Sequence, residues 1–302
     1  MKNIDFLKYR YVFIIISLVI IVGGITYGLI TGFKFDIDFK GGTTIQVDLK
    51  KEFNNNDIEN LVNEITGSKP LVQKMSGGES SVSITTEPIS QETTQKIVDE
   101  LKVKYPNMDE PSTKNIQPSY GKELLNSAIL ALVIAVVLLL LYIGVRFRSL
   151  GLSAAVTAII ALLHDALIIV SIYGIFKLPI NATFVAVILT ILGYSINDTV
   201  IVYDRIRENR RKVTKSKDLK DTINSSISQT MRRTIYTSLT TITAVIIVYI
   251  FAVMNNQTVL KEFSLPLIIG IITGAYSSIF VASSLWYIVD KLVNKFKTNR
   301  KK

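Results

Sequence analysis

Apolar residues along the chain gather into six long runs: Tyr11–Thr31, Leu125–Val145, Leu152–Ile172, Thr183–Tyr203, Thr234–Phe251 and Leu265–Val289. About 20 apolar residues in helical conformation cross the hydrocarbon core of a bilayer. Each run therefore predicts a membrane-spanning helix. Lys2, Lys8 and Arg10 precede the first. That run is too long for a signal-peptide core and no small-x-small cleavage site follows it, so it reads as an uncleaved anchor.

Between the first and second runs the pattern changes. Thr44–Leu49 alternates apolar and polar residues, as a half-buried strand does. Asn56 and Glu59 have the spacing of a capping box, and Ile58, Leu61, Val62 and Ile65 follow at helical spacing. Leu71–Lys74 predicts a short strand, Gly77-Gly78 a turn, and Ser81–Thr85 the returning strand. Ser90 then caps a helix carrying Ile97, Val98 and Leu101, and Lys114–Ser119 supplies a last strand with Pro118 near its end. The order β-α-β-β-α-β is that of a ferredoxin-like domain. The predicted fold class is an α-helical multi-pass membrane protein: six transmembrane helices, with one external α+β ferredoxin-like domain between helices 1 and 2.

Composition agrees with a membrane reading. The 302 residues are 49% hydrophobic, with a mean hydropathy of +0.38. There is no cysteine and a single histidine, so thiolate chemistry is excluded and no ligand spacing points to a metal. No nucleotide-binding loop and no Ser-His-Asp set is present, and the expectation is a non-enzyme without a cofactor. Paired-aspartate proteolysis would need Asp165 and Asp198 on facing helices.

The net charge of +10 is unevenly placed. Basic residues crowd the N-terminus, the loop with Arg146 and Arg148, the segment from Arg205 to Arg233, and the tail from Lys291 onward. The loops expected on the opposite side carry only Lys177 and Lys261. The positive-inside rule then puts both termini in the cytoplasm. It divides the chain into a cytoplasmic N-terminus with helix 1 (1–32), an external domain (33–121), helices 2–6 with a basic cytoplasmic loop at 204–233 (122–289) and a basic cytoplasmic tail (290–302). Topology and attraction to anionic lipid account for the excess charge, and no nucleic acid is needed.

Inside the apolar runs, a few polar residues carry the chemistry. Asp198 lies in the fourth, within Gly193-Tyr194-Ser195-Ile196-Asn197-Asp198-Thr199. A carboxylate at membrane depth is costly, and marks an ion pathway or a structural hydrogen bond. Thr190, Tyr194 and Asp198 recur at intervals of four on one helical stripe, flanked by Ser195 and Asn197. Arg233 opens the fifth run, with Thr237 and Thr240 on its stripe; it either pairs with Asp198 or snorkels to headgroups. His164-Asp165 interrupts the third run as a proton relay or a packed pair. Gly270 and Gly274 in the sixth form a small-x-x-x-small contact for close packing. Asp204 reads as part of a solvated helix end.

Three strings together resemble the SecF family, membrane subunits of the Sec protein-export translocase within the resistance-nodulation-division superfamily. They are Phe39-Lys40-Gly41-Gly42-Thr43, His164-Asp165, and the Asp198 string with Asp204-Arg205-Ile206-Arg207-Glu208-Asn209. The resemblance covers essentially the whole chain. It implies a heterodimer with SecD, docking on the SecYEG channel with YajC, and SecA acting indirectly. It implies that the ion-motive force, carried by H⁺ or Na⁺, assists late translocation of unfolded preprotein. It also implies that Asp198 and Arg233 are the coupling pair, with Arg232 the neighbouring candidate. Two alternatives have different signatures. A small-molecule exporter subunit of the same superfamily would confer drug resistance, and a non-transporting scaffold would tolerate Asn at position 198.

Overall fold

The computed structural model describes residues 5–75, 80–212, 219–255 and 257–299, with side chains as far as Val293. The Gly77-Gly78 turn, Lys2, Lys215, Lys217 and the last basic residues of the tail lie outside the described residues or side chains.

A short 3-10 turn, Phe6–Lys8, leads into α1 (Arg10–Thr31) and the single-turn α2 (Ile37–Lys40). Then come β1 (Gly42–Asp48), α3 (Asn55–Thr66), β2 (Leu71–Lys74), β3 (Ser81–Thr86), α4 (Gln91–Lys104) and β4 (Ser112–Ile116). The helices α5 (Pro118–Arg146), α6 (Leu152–Ile175), α7 (Ala182–Lys212) and α8 (Leu219–Met254) follow. The last span is α9 (Thr258–Tyr276), a π-helical segment Ser277–Ala282, and α10 (Ser283–Asn299). Among the described residues, six helices are long and apolar enough to cross a membrane.

The small domain has the element order β-α-β-β-α-β, and its sheet runs β2-β3-β1-β4 with every neighbour antiparallel. Alternation decides its faces. Ile45, Val47, Val82 and Ile84 point to one side and pack with Ile58 and Val62 of α3 and Ile97 and Leu101 of α4. Thr44, Gln46, Ser83 and Thr85 occupy the other side, where Thr44 and Thr85 hydroxyls bond across strands at 3.2 Å.

Two local expectations are corrected. Asn54, not Asn56, caps α3: its Oδ1 accepts the Asn56 amide at 3.0 Å. Glu59 does not reach back to a cap but pairs with Lys69 at 3.2 Å. The last strand stops at Ile116, and Pro118 opens α5 instead of closing β4. Proline suits the first helical position, where its missing N–H has no partner to lose.

The basic segment 204–233 is not a loop over most of its length. α7 continues through it to Lys212 and α8 resumes at Leu219. Ile206, Ile223 and Ile227 bury an apolar face there. On the other face Arg207–Asp204 and Arg205–Glu208 pair at three-residue spacing, which supports a helix rather than a coil. Asp204 also pairs with Arg146 of α5 at 2.7 Å, so it is consumed in joining helices.

Within the bundle, α6, α7 and the last span are the inner helices, and α1, α5 and α8 are mostly exposed. One apolar cluster, with Leu162, Tyr203 and Trp286, fills the end remote from the sheet. Another, with Tyr173, Phe184, Val187 and Ile271, fills the end beneath it. Gly270 and Gly274 of α9 let α7 come close: a Cβ on Gly274 would meet the Ser195 Cβ at 3.0 Å, and one on Gly270 would run into Ile191.

Candidate functional site

The pairing of α7 with α8 sets the geometry around Asp198. Tyr194 Oη donates to Thr241 Oγ1 at 3.2 Å, Arg205 Nε to Gln229 Oε1 at 2.6 Å, and Asn209 Nδ2 to Ser226 Oγ at 2.8 Å. These bonds run at one antiparallel register. It places Asp198 level with the stretch Thr234–Ser238, and Arg233 level with Val202, one turn further from the sheet.

Asp198 is 1% exposed, and its Oδ2 has no hydrogen-bond partner among the described residues. Thr234 Oγ1 and Ser238 Oγ, at the same level, are buried without a partner as well. Buried polar atoms are nearly always bonded. Three orphaned oxygens at one level of a helix pair are thus a local exception.

No ion pair joins Arg233 and Asp198 among the described residues. The exposed Arg233 side chain lines a crevice of about 520 Å³ between α7 and α8, together with Ile201, Asp204, Arg205, Glu208 and Thr230. Arg232 turns elsewhere and lies over the Tyr236 ring, 5.4 Å from its centroid. Geometry therefore favours Arg233 of the two candidates.

The supporting residues divide. Tyr194 is half-buried and bonds α8, while Thr190 and Asn197 are exposed. The expected stripe breaks because each four-residue step overshoots a helical turn by about 40°, so eight residues carry Asp198 well round from Thr190. On α8 the expected stripe points outward. Thr237 and Thr240 are exposed and donate to the carbonyls of Arg233 and Tyr236, each at 2.9 Å. The inward stripe is Thr230, Thr234 and Ser238. Its four-residue spacing was the available signal, masked by the general habit of Ser and Thr in spans of bonding their own backbone.

His164 and Asp165 form a separate network, fully inside the bundle. Asp165 is 0% exposed. Its Oδ1 meets His164 Nδ1 at 2.9 Å, and its Oδ2 accepts from Ser195 Oγ at 2.6 Å and Ser277 Oγ at 2.9 Å. His164 Nε2 lies 3.1 Å from the Tyr276 hydroxyl, which in turn lies 3.0 Å from Ser17 of α1. Thr199 and Ser278 hydroxyls add a parallel contact at 2.9 Å. Asp165 therefore joins α6 to α7 and to the π-helical segment. The sequence pattern did not single out Ser277 or Ser278 for this network. Nothing in the spacing showed the wide turn that aims Ser277 at Asp165.

Residues 96–292 match the family model for the protein export membrane protein SecD/SecF, C-terminal. The chain belongs to the SecD/SecF protein-export membrane family. It is 36% identical over 288 residues to the protein translocase subunit SecF of Dictyoglomus turgidum, covering 94% of this chain and 96% of that one. Similarity to the SecDF of Bacillus subtilis is 34% over 286 residues, covering 93% of this chain and 37% of the relative. Among solved structures, SecDF from Thermus, a translocon-associated membrane protein, superposes with a TM-score of 0.82 at 27% identity. The match covers 95% of this chain, which spans only 39% of that longer one. A SecDF structure in a super-membrane-facing form superposes less closely, with a TM-score of 0.69. Six apolar helices and SecF relatives together make this a multi-pass membrane protein of the SecD/SecF type.

Proposed function

We propose that this chain is the SecF-type subunit of the Sec protein-export machinery and that it uses the ion-motive force to assist late preprotein translocation. It sits in the cytoplasmic membrane with both termini in the cytoplasm and the ferredoxin-like domain, residues 33–121, outside. Its partners are SecD as a heterodimer, the SecYEG channel and YajC, with SecA indirectly; the substrate is an unfolded preprotein. Exposed Asn197, Thr190 and Arg233 at membrane depth support a partner covering the open side of α7 and α8.

The reading rests on one observation: a buried Asp198 with an orphaned oxygen, level with two orphaned hydroxyls and one turn from Arg233, which it does not pair with among the described residues. In the proposed cycle, H⁺ or Na⁺ arrives at Asp198 from the side of the sheet and weakens its tie to Arg233. The spans repack, the sheet domain swings, and release of the ion on the other side resets the pair. Moving one charge through 100 mV yields about 2.3 kcal/mol, enough to bias a two-state element roughly 50-fold.

The test is Asp198→Asn in cells and in proteoliposomes with the partner subunit. The expected result is loss of both preprotein export and ion flux with the chain still assembled. Normal export and normal flux would overturn the coupling role, and loss of neither on substitution but loss on deletion would make the chain a scaffold.

A further inference from the structure

A buried carboxylate joins the sheet domain to α7. Asp38, in α2, is 4% exposed. Its Oδ2 accepts the backbone N–H of Ala182, the first residue of α7, at 2.9 Å. Its Oδ1 forms an ion pair with Lys114 of β4. One carboxylate thus spans from the sheet to the end of the helix that carries Asp198. An anion is well placed at a helix N-terminus, but this one is shared with a cation belonging to another structural unit.

The surroundings make Asp38 a junction rather than a surface contact. Just before it, the Asp36 amide donates to the Ile180 carbonyl at 3.0 Å and the Ile180 amide to the Lys34 carbonyl at 2.8 Å, a two-bond bridge onto the segment entering α7. Phe39 is buried with Ile180, Phe184 and Leu267. Gly121 of α5 lies so close that a Cβ there would stand 2.9 Å from the Phe39 carbonyl oxygen. Both connections of the sheet domain, α2 entering it and α5 leaving it, are therefore packed together at the head of α7. Movement of α7 along or about its axis has a direct route to β4 through Asp38.

We propose that Asp38 is the positioning residue that transmits movement of α7 to the sheet domain. The inference rests on the coupling reading for Asp198. It assigns Asp38 no contact with ion or substrate.

The chain has no cysteine of its own, so paired cysteines take spin labels without background. Labels at Lys96→Cys on α4 and Val259→Cys on α9, both exposed sites, report the distance from domain to bundle by pulsed electron resonance. The full chain is measured with its partner subunit in liposomes. With Asp38 intact, Asp198→Asn shifts the distance distribution. With Asp38→Ala that shift is lost, and the distribution is the same whether or not Asp198→Asn is also present. Lys114→Met, which leaves the Ala182 bond in place, reduces the shift, and Lys114→Arg retains it; these two remain informative where Asp38→Ala fails to fold.

A shift that persists at full size in both Asp38→Ala and Lys114→Met overturns the transmission role while leaving the coupling reading intact. A shift missing even with Asp38 and Lys114 present overturns both.

Discussion

Asp198 and Arg233 stand one helical turn apart along the contact between α7 and α8, and no ion pair joins them among the described residues. One turn is about 5.4 Å of helix rise, a distance that a modest slide or a new arginine rotamer closes. Arg233→Ala therefore removes the partner of only one state. Export and ion flux are expected to fall at least tenfold, about 1.4 kcal/mol of coupling. Arg233→Lys is expected to recover part of it. Full activity in Arg233→Ala, measured beside Arg232→Ala, would transfer the role or abolish it.

Thr234 and Ser238 separate function from stability. Each buries a hydroxyl without a partner, and such burial costs about 1–3 kcal/mol. Thr234→Val keeps the shape and removes that cost. Purified Thr234→Val is expected to melt at the same temperature or higher, yet to show weaker ion dependence of export. A variant with unchanged ion dependence would mean that the hydroxyls do not serve Asp198.

Asp165 makes the opposite prediction. It accepts two serine hydroxyls and faces His164 with no exposure to solvent. Replacing it with Ala leaves those groups unpaired, at a cost of about 1–3 kcal/mol for each buried polar group left unsatisfied. Thermal unfolding of the detergent-purified chain is expected to drop by several degrees with Asp165→Ala, and less with Ser277→Ala. Equal melting of wild type and Asp165→Ala would show that the network carries no structural weight.

At the end remote from the sheet, Asp5 accepts from Lys220 at 2.6 Å and from Asn224 at 2.9 Å. The bond from Lys220 holds the Asp5 carboxyl below its ordinary value. A lowered carboxylate pKa stabilises fully above the ordinary value, and the contribution is lost as pH falls through the folded one. Release of the N-terminal segment, followed by proteolysis, is expected to increase only under acid conditions. In Asp5→Asn it should be raised already at neutral pH. Identical cleavage profiles for the two chains would remove the clamp.

Much of the architecture was legible because its causes are local. The six apolar runs and the alternating strands follow from period and length; the strands lie within a few residues of their expected places, but the helices outrun their apolar runs, as α7 does to Lys212 and α8 does from Leu219. The misplaced features depend on neighbours. Asn54 wins the cap over Asn56 through a bond two residues on. The charged stretch around Arg205 stays helical because Ile206, Ile223 and Ile227 find a common core. At the site, residue type drew attention to Asp198 and Arg233 without deciding between their alternatives, and it could not tell inward from outward hydroxyls on α8. That choice is fixed by the register with α7, which no single helix contains. The contacts of Asp38 were equally hidden, because its two partners lie 76 and 144 positions away.

The first long helix is gripped at both of its extremities. Below it, Asp5 and the Leu7 amide hold Lys220 and Asn224; above it, residues 34–36 pair with Ile180. Between those grips α1 leans on the bundle by a narrow glycine-bearing edge and is otherwise bare. Such an element is a tie-rod: it fixes how far apart the two ends of the bundle stand.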